Sequence, residues 1–226
     1  CDQRMDAAHQ PGGGLDDGDG LTLVDTLYDS DAHRILAELA RIGKSVSDIK
    51  RIVMTHCHRS HLGGLALLKE QSGAPVYCHE WEADLIAGQR KQQPVSWRPY
   101  TPVQVWPLQV ALNLGVAKHP PATVDHFVHE GDQVGPLRIV ACPGHSPGHL
   151  SFWWEARRLL IAGDAICTWP RLMLGWRGFT LNPTQHRASV RRLAEFDSQI
   201  LCVGHGEPLP SGAAQAIRAA LPTLDR

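Results

Sequence analysis

From residue 21 to near the carboxyl end, apolar positions fall into short runs and helical stripes that take turns along the chain. Leu21 to Asp25 reads as a strand. Ile35, Leu36, Leu39 and Ile42 recur at helical spacing behind Asp31, a residue type that caps helices. Ile49 to Thr55 predicts a second strand, and Leu62 to Gln71 a helix closed by Gly73. Pro75 to Cys78 and the amphipathic stretch near Glu80 to Gly88 repeat the step, an alternation that belongs to layered α/β folds.

Residues 93–107 hold Pro94, Pro99, Pro102 and Pro107 among Trp97, Tyr100 and Trp106, which predicts an irregular connection, either lining a pocket or running plainly over the surface. Between Phe127 and Ala162 the pattern turns to strands over 137–142, 151–154 and 158–162. The last two are close enough for a hairpin, so a second sheet is implied. Pro183 opens a helix to about Phe196, a strand follows at 200–203, and a last helix covers about Gly212 to Leu221. Residues 1–20, polar and rich in Gly and Asp, predict a flexible arm ahead of one domain over 21–226.

A chain of 226 residues can bury one sizeable core. None of its stretches approaches the roughly 18 uninterrupted apolar residues of a membrane span. The formal net charge of −1, with no block of like charge, offers no footprint for nucleic acid or an anionic membrane. A small-molecule partner is expected instead. The six cysteines follow no CxxC or framework spacing and sit mostly in apolar segments, which fits reduced thiols and a cytoplasmic location. For Cys1 in first place, a trimmed start is expected over a lipid-bearing mature terminus.

The chemistry concentrates in THCHRSHLGG, residues 55–64, where His56, His58 and His61 crowd the end of a strand. A core strand has no packing reason to gather three imidazoles, whereas neutral imidazole is the commonest protein ligand for zinc and similar metals. Three further candidates follow later strands: His145 in CPGHSPGH, Asp164 in IAGDA and His205 in VGHGEP. Each is flanked by glycine, which lets the backbone bend and approach a buried ion closely.

In order and glycine context these residues resemble the metallo-β-lactamase superfamily, whose pattern is His-x-His-x-Asp-His, a distant His, an Asp and a final His; the match runs over residues 21–210. The segment 181–197 looks like the glyoxalase-II-like branch. The resemblance implies an αββα sandwich, two mixed sheets face to face with helices outside. It implies that His56, His58 and His145 bind one metal, that His61 and His205 bind a second, and that Asp164 bridges them and serves the reaction. Zinc is expected, as one or two ions, with iron and manganese compatible with the same ligands. The implied activity is hydrolysis of a small ester, thioester, lactone or amide, with metal-bound hydroxide as nucleophile.

The family aspartate inside the first motif is replaced by Ser60. A neutral hydroxyl is a poor ligand for a dication, which puts the second ion in question. Two alternatives therefore stay open: a non-catalytic or degenerate metal-binding member, and an iron-dependent persulfide dioxygenase. The arm over 1–20 also lacks the apolar strand expected ahead of Leu21, and an open sheet edge there predicts dimerisation or reduced stability. His149 is expected to orient neighbouring loops, Cys57 to point away from the ligands, and Trp169, Trp176 and Phe179 either to form an apolar pocket wall or to pack in the core.

Overall fold

The computed structural model of the chain describes residues 14–16, 18–116 and 118–224. Its first sheet runs in the order β1 (Gly14–Asp16), β2 (Leu21–Val24), β3 (Ile49–Val53), β4 (Val76–Cys78) and β5 (His126–Phe127). From β2 onward all neighbours are parallel. Parallel neighbours need crossovers. These carry α1 (His33–Arg41), the pair α2 (Arg59–Leu62) and α3 (Leu65–Ser72), then α4 (Glu80–Ile86) and α5 (Trp106–Asn113).

The second sheet has the order β10-β9-β8-β7-β6, built from β6 (Gln133–Val134), β7 (Leu137–Ala141), β8 (Leu150–Trp154), β9 (Leu159–Ile161) and β10 (Ile200–Cys202). Its hairpins are antiparallel; β9 and β10 are parallel, joined through α6 (Pro183–Leu193), with α7 (Ala213–Ala220) after them.

Strand alternation divides the apolar residues into layers. Val24, Val53, Ile139, Phe152 and Ile161 face the other sheet and form the middle core. Their neighbours Leu23 and Ile52 face the helices of the first sheet, while Trp153 and Leu160 face α6 and α7 beyond the second. The result is the αββα sandwich, with both mixed sheets covered by helices.

Four local expectations need correction. Of the expected arm, residues 1–13 lie outside the described residues, but Gly14–Asp16 is a strand paired antiparallel with β2, because Leu15 can bury its side chain in the middle core. The edge of β2 is therefore covered. Asp31 does not occupy the cap position of α1: Ala32 does, in the left-handed region, while Asp31 Oδ1 accepts from the backbone N–H of His33 at 3.3 Å.

The helix expected over Leu62 to Gln71 is split at Gly63 and Gly64. A Cβ on Gly63 would lie 2.1 Å from the backbone oxygen of Tyr28, so the chain there must pass without a side chain. Finally, the irregular segment 93–107 runs into α5, whose Pro107 sits in the first turn, where proline is tolerated. Among the described residues no helix is long and apolar enough to cross a membrane.

Phe152 is fully buried at the centre of the middle core. Phe152→Ala should lower unfolding stability by about 3–5 kcal/mol, read as a reduced urea midpoint at unchanged slope; a loss below about 1 kcal/mol would mean that the two sheets do not meet at this side chain.

Candidate metal centre

The carboxyl ends of β2, β3, β7, β9 and β10 open at one edge of the sandwich, and each delivers chemistry there. Asp25 follows β2 and His56, His58 and His61 follow β3; His145 sits in the loop after β7, Asp164 in a single 3-10 turn after β9, and His205 after β10. All six sequence-predicted ligands are brought together. The donor atoms of His56, His58, His145 and Asp164 lie within 4.8 Å of one another, and so do those of His61, Asp164 and His205.

In the first group His58 Nδ1 is 3.0 Å from His56 Nε2 and 2.9 Å from His145 Nε2. Asp164 Oδ2 stands 3.7 Å from His56 Nε2 and 3.4 Å from His145 Nε2. Thr55 fixes one tautomer. Its hydroxyl donates to Asp25 Oδ2 at 2.7 Å and so accepts from His56 Nδ1–H at 3.0 Å, leaving Nε2 of His56 as a lone pair aimed into the cluster.

In the second group Asp164 Oδ1 is 3.3 Å from His61 Nε2, and Oδ2 is 3.3 Å from His205 Nε2. His61 Nδ1 is held by Asp25 Oδ2 at 2.8 Å, which turns Nε2 towards Asp164. His61 Nε2 and Asp164 Oδ1 are buried without a hydrogen-bond partner. Buried polar atoms rarely go unpaired. Nitrogens bound about 2.1 Å from a tetrahedral ion stand about 3.4 Å apart, so a divalent cation fits this donor set and would engage the orphaned atoms.

Burial keeps most of these rings neutral. It pulls His56 and His145 well below the ordinary histidine value and His58 down to about 4. Burial also opposes the charge on His61, but the Asp164 and Asp25 carboxylates on either side overcome it and raise that ring to about 10. Asp164 is buried too, yet His205 and His61 hold its carboxyl well below the usual range.

Supporting groups complete the site. His149 lies behind Asp164 and accepts the backbone N–H of that residue on Nε2 at 3.0 Å. Cys57 packs into the helix-side core of the first sheet, away from the ligand atoms. Trp176 stacks on His205, with ring centres 4.5 Å apart and 14° between planes, and Phe179 meets His58 edge-on at 6.3 Å. Trp169 stands outside them, 42% exposed. Ser60 lines the cavity of about 30 Å³ that lies among His58, Asp164, Trp176, Phe179 and His205.

Sequence reasoning missed two residues. Asp25 orients both His61 and Thr55; it follows an apolar strand as Asp164 does, but no glycine flanks it to mark it. Glu82 on α4 is fully buried, accepting from Ser146 Oγ at 2.5 Å and from the Cys57 backbone N–H at 3.2 Å. It ties the loop carrying His145 to the loop carrying His56 and His58, and nothing on its own helix betrays that role.

A four-layer sandwich with a buried histidine and aspartate cluster at converging strand ends defines the class of metal-centred αββα proteins. The sequence profile of the Metallo-beta-lactamase superfamily matches residues 15–205, and the chain belongs to that family. It is 27% identical over 197 residues to the probable metallo-hydrolase YybB of Bacillus subtilis (strain 168), covering 86% of this chain and 80% of the relative. It is 28% identical over 157 residues to a hydroxyacylglutathione hydrolase of Halorhodospira halophila (strain DSM 244 / SL1), covering 68% of this chain but 46% of that enzyme. TTHA1623, solved in a di-iron-bound form, superposes with a TM-score of 0.67 at 25% identity over 90% of each chain.

The neutral rings carry a pH signature. In the metal-free protein His58 takes its proton near 4 and His149, also depressed by burial, near 3, while the unfolded chain takes them near 6.5. The unfolded state thus binds more protons between those values, and each ring removes up to roughly 1.4 kcal/mol of stability per pH unit as pH falls. His61, protonated when folded, opposes this slope only near pH 6.5, where the unfolded ring is still partly neutral, and contributes nothing lower in the window. Thermal unfolding of chelator-treated protein should show Tm falling steadily from pH 6.5 to 4.5; a flat Tm would mean that these rings are not held neutral.

Proposed function

We propose that the chain is a metal-dependent hydrolase of a small carbonyl substrate, of the glyoxalase-II-like branch. The observation that carries this reading is the convergence of three imidazole nitrogens beside the buried Asp164 carboxylate. His56, His58 and His145 would hold a divalent ion, which would supply Lewis acidity and lower the pKa of water at the site towards about 7. Zinc suits these ligands, and so do iron and manganese.

The residues of the chain supply the rest. Asp164, kept ionised by His61 and His205, is placed to accept a proton from water at the cluster and to hold it in line. Asp25 fixes His61 through its Nδ1 and, with Thr55, fixes the His56 tautomer. Trp176 and Phe179 exclude water from one side and give the substrate an apolar wall, which strengthens every electrostatic interaction within.

The relatives support the class: one is described as a probable metallo-hydrolase and another as a hydroxyacylglutathione hydrolase, a thioester-cleaving name. Ser60 weakens the second position. His61, His205 and Asp164 remain there, but the cavity wall offers a hydroxyl where the family pattern has a carboxylate. The expectation is one ion held firmly and a second held loosely.

Elemental analysis after dialysis should give about one ion per chain, rising towards two in Ser60→Asp. A panel of esters, thioesters and lactones should reveal hydrolysis by the native protein, and Asp164→Asn should lower kcat at least about a hundredfold. Turnover in Ser60→Asp alone would identify a degenerate member. Oxygen-dependent turnover by the iron-loaded protein would favour the dioxygenase. Either result overturns the proposal.

A further inference from the structure

A second cavity, of about 860 Å³, lies behind the segment that walls the metal centre and shares none of its ligands. The segment 171–180 separates the two spaces by alternation. Trp176 and Phe179 line the small cavity at the metal ligands, while Gly175, Arg177 and Thr180 line the large one. A two-residue antiparallel bridge, Cys167 to Met173, closes the base of this strap.

The large cavity has a one-sided charge. Arg171, Arg177 and Arg187 line it, and no acidic side chain does. Among the described residues none of the three meets a carboxylate: Arg177 lies over the Tyr100 ring at 5.0 Å, and Arg187 reaches only the Thr184 hydroxyl at 3.4 Å. Arginines elsewhere on the chain are engaged, as Arg192 is with Glu130 at 2.6 Å and Arg158 with Asp197. Pro183, the first residue of the 11-residue α6, also lines the cavity, so the positive end of that helix dipole adds to the same field. Leu172, Met173, Leu174 and Leu224 give the cavity an apolar floor, and the hydroxyls of Thr101, Thr180 and Thr223 and the His186 ring complete the wall.

Guanidinium groups pair with two oxygens of a carboxylate, sulfonate or phosphate in bidentate geometry, and a cavity of this size holds a ligand of drug-like volume. From the three guanidiniums, the helix terminus and the apolar floor, we infer that this cavity is a second binding site, for an organic anion: an apolar body carrying a carboxylate, sulfonate or phosphate group. The site is independent of the metal centre and of the reaction assigned to it.

The test is calorimetric titration of the metal-loaded 226-residue chain with naphthalene-2-sulfonate, which offers an oxyanion that cannot be hydrolysed, and with neutral 2-naphthol. The sulfonate should bind at least about tenfold more tightly than the naphthol. Its affinity should fall at least about tenfold in R171A/R187A and stay unchanged in R157A and after treatment with a chelator. All three arginines substituted lie at exposed or half-buried positions, and circular dichroism verifies that the variants fold. Equal binding of the two compounds would overturn the inference. Native affinity in R171A/R187A would do so as well, and loss of binding on chelation would assign the ligand to the metal centre instead.

Discussion

The burial of one carboxylate constrains everything at this edge of the sandwich. Asp164 is 3% exposed and sits within 3.7 Å of ring nitrogens from His56, His61, His145 and His205. An isolated buried carboxylate costs several kcal/mol unless a positive partner or several donors accompany it. The fold supplies only part of that compensation, with His61 3.3 Å from one oxygen and His205 3.3 Å from the other. Three more imidazoles kept neutral by burial crowd the same carboxylate, with the His56 Nε2 lone pair aimed into the cluster, a donor set that a dication would satisfy.

This constraint explains the architecture around the site. Ligands on four separate strand ends, and Asp25 on a fifth, must be positioned to a fraction of an ångström, and strand ends in packed sheets move less than free loops. The apolar layers therefore serve the chemistry by fixing the strands. Local devices finish the placement. Gly204 faces Asp164 so closely that a Cβ would lie 1.9 Å from Oδ1. Glu82 joins the two ligand loops, and Asp25 serves two elements at once, accepting the Thr55 backbone N–H at 2.8 Å and the His61 ring at 2.8 Å.

What was readable in the chain follows from range. The histidine-dense strand end, the Gly-flanked Asp164 and the hairpin of β8 and β9 are local signals, carried by composition, glycine and alternation within a few residues. So is the division into two sheets, because β8 and β9 are joined by a short turn while parallel strands alternate with helices. Asp25 and Glu82 were not readable as site residues because their partners lie 25 to 64 positions away in sequence. The strand β1 escaped notice for the same reason: three residues carry no periodicity, and pairing with β2 decides their conformation. The helix α5 was hidden by the prolines before it, although Pro107 belongs to its first turn.

The substitution at Ser60 bears unequally on the two halves of the site. His56, His58 and His145 form a three-nitrogen set that needs no carboxylate beyond Asp164, and their supports, Thr55 and Glu82, are intact. The half built on His61 and His205 depended on two carboxylates in the family pattern and here has one. A single negative charge offsets one dication far better than two. If Ser60 reflected general decay, the supports of both halves would be expected to erode together. Instead the bond from Asp25 to His61 and the stacking of Trp176 on His205 persist at 2.8 Å and 4.5 Å. The loss is confined to one ligand in a site whose geometry is otherwise maintained, which favours an altered metal stoichiometry over abandonment of the centre.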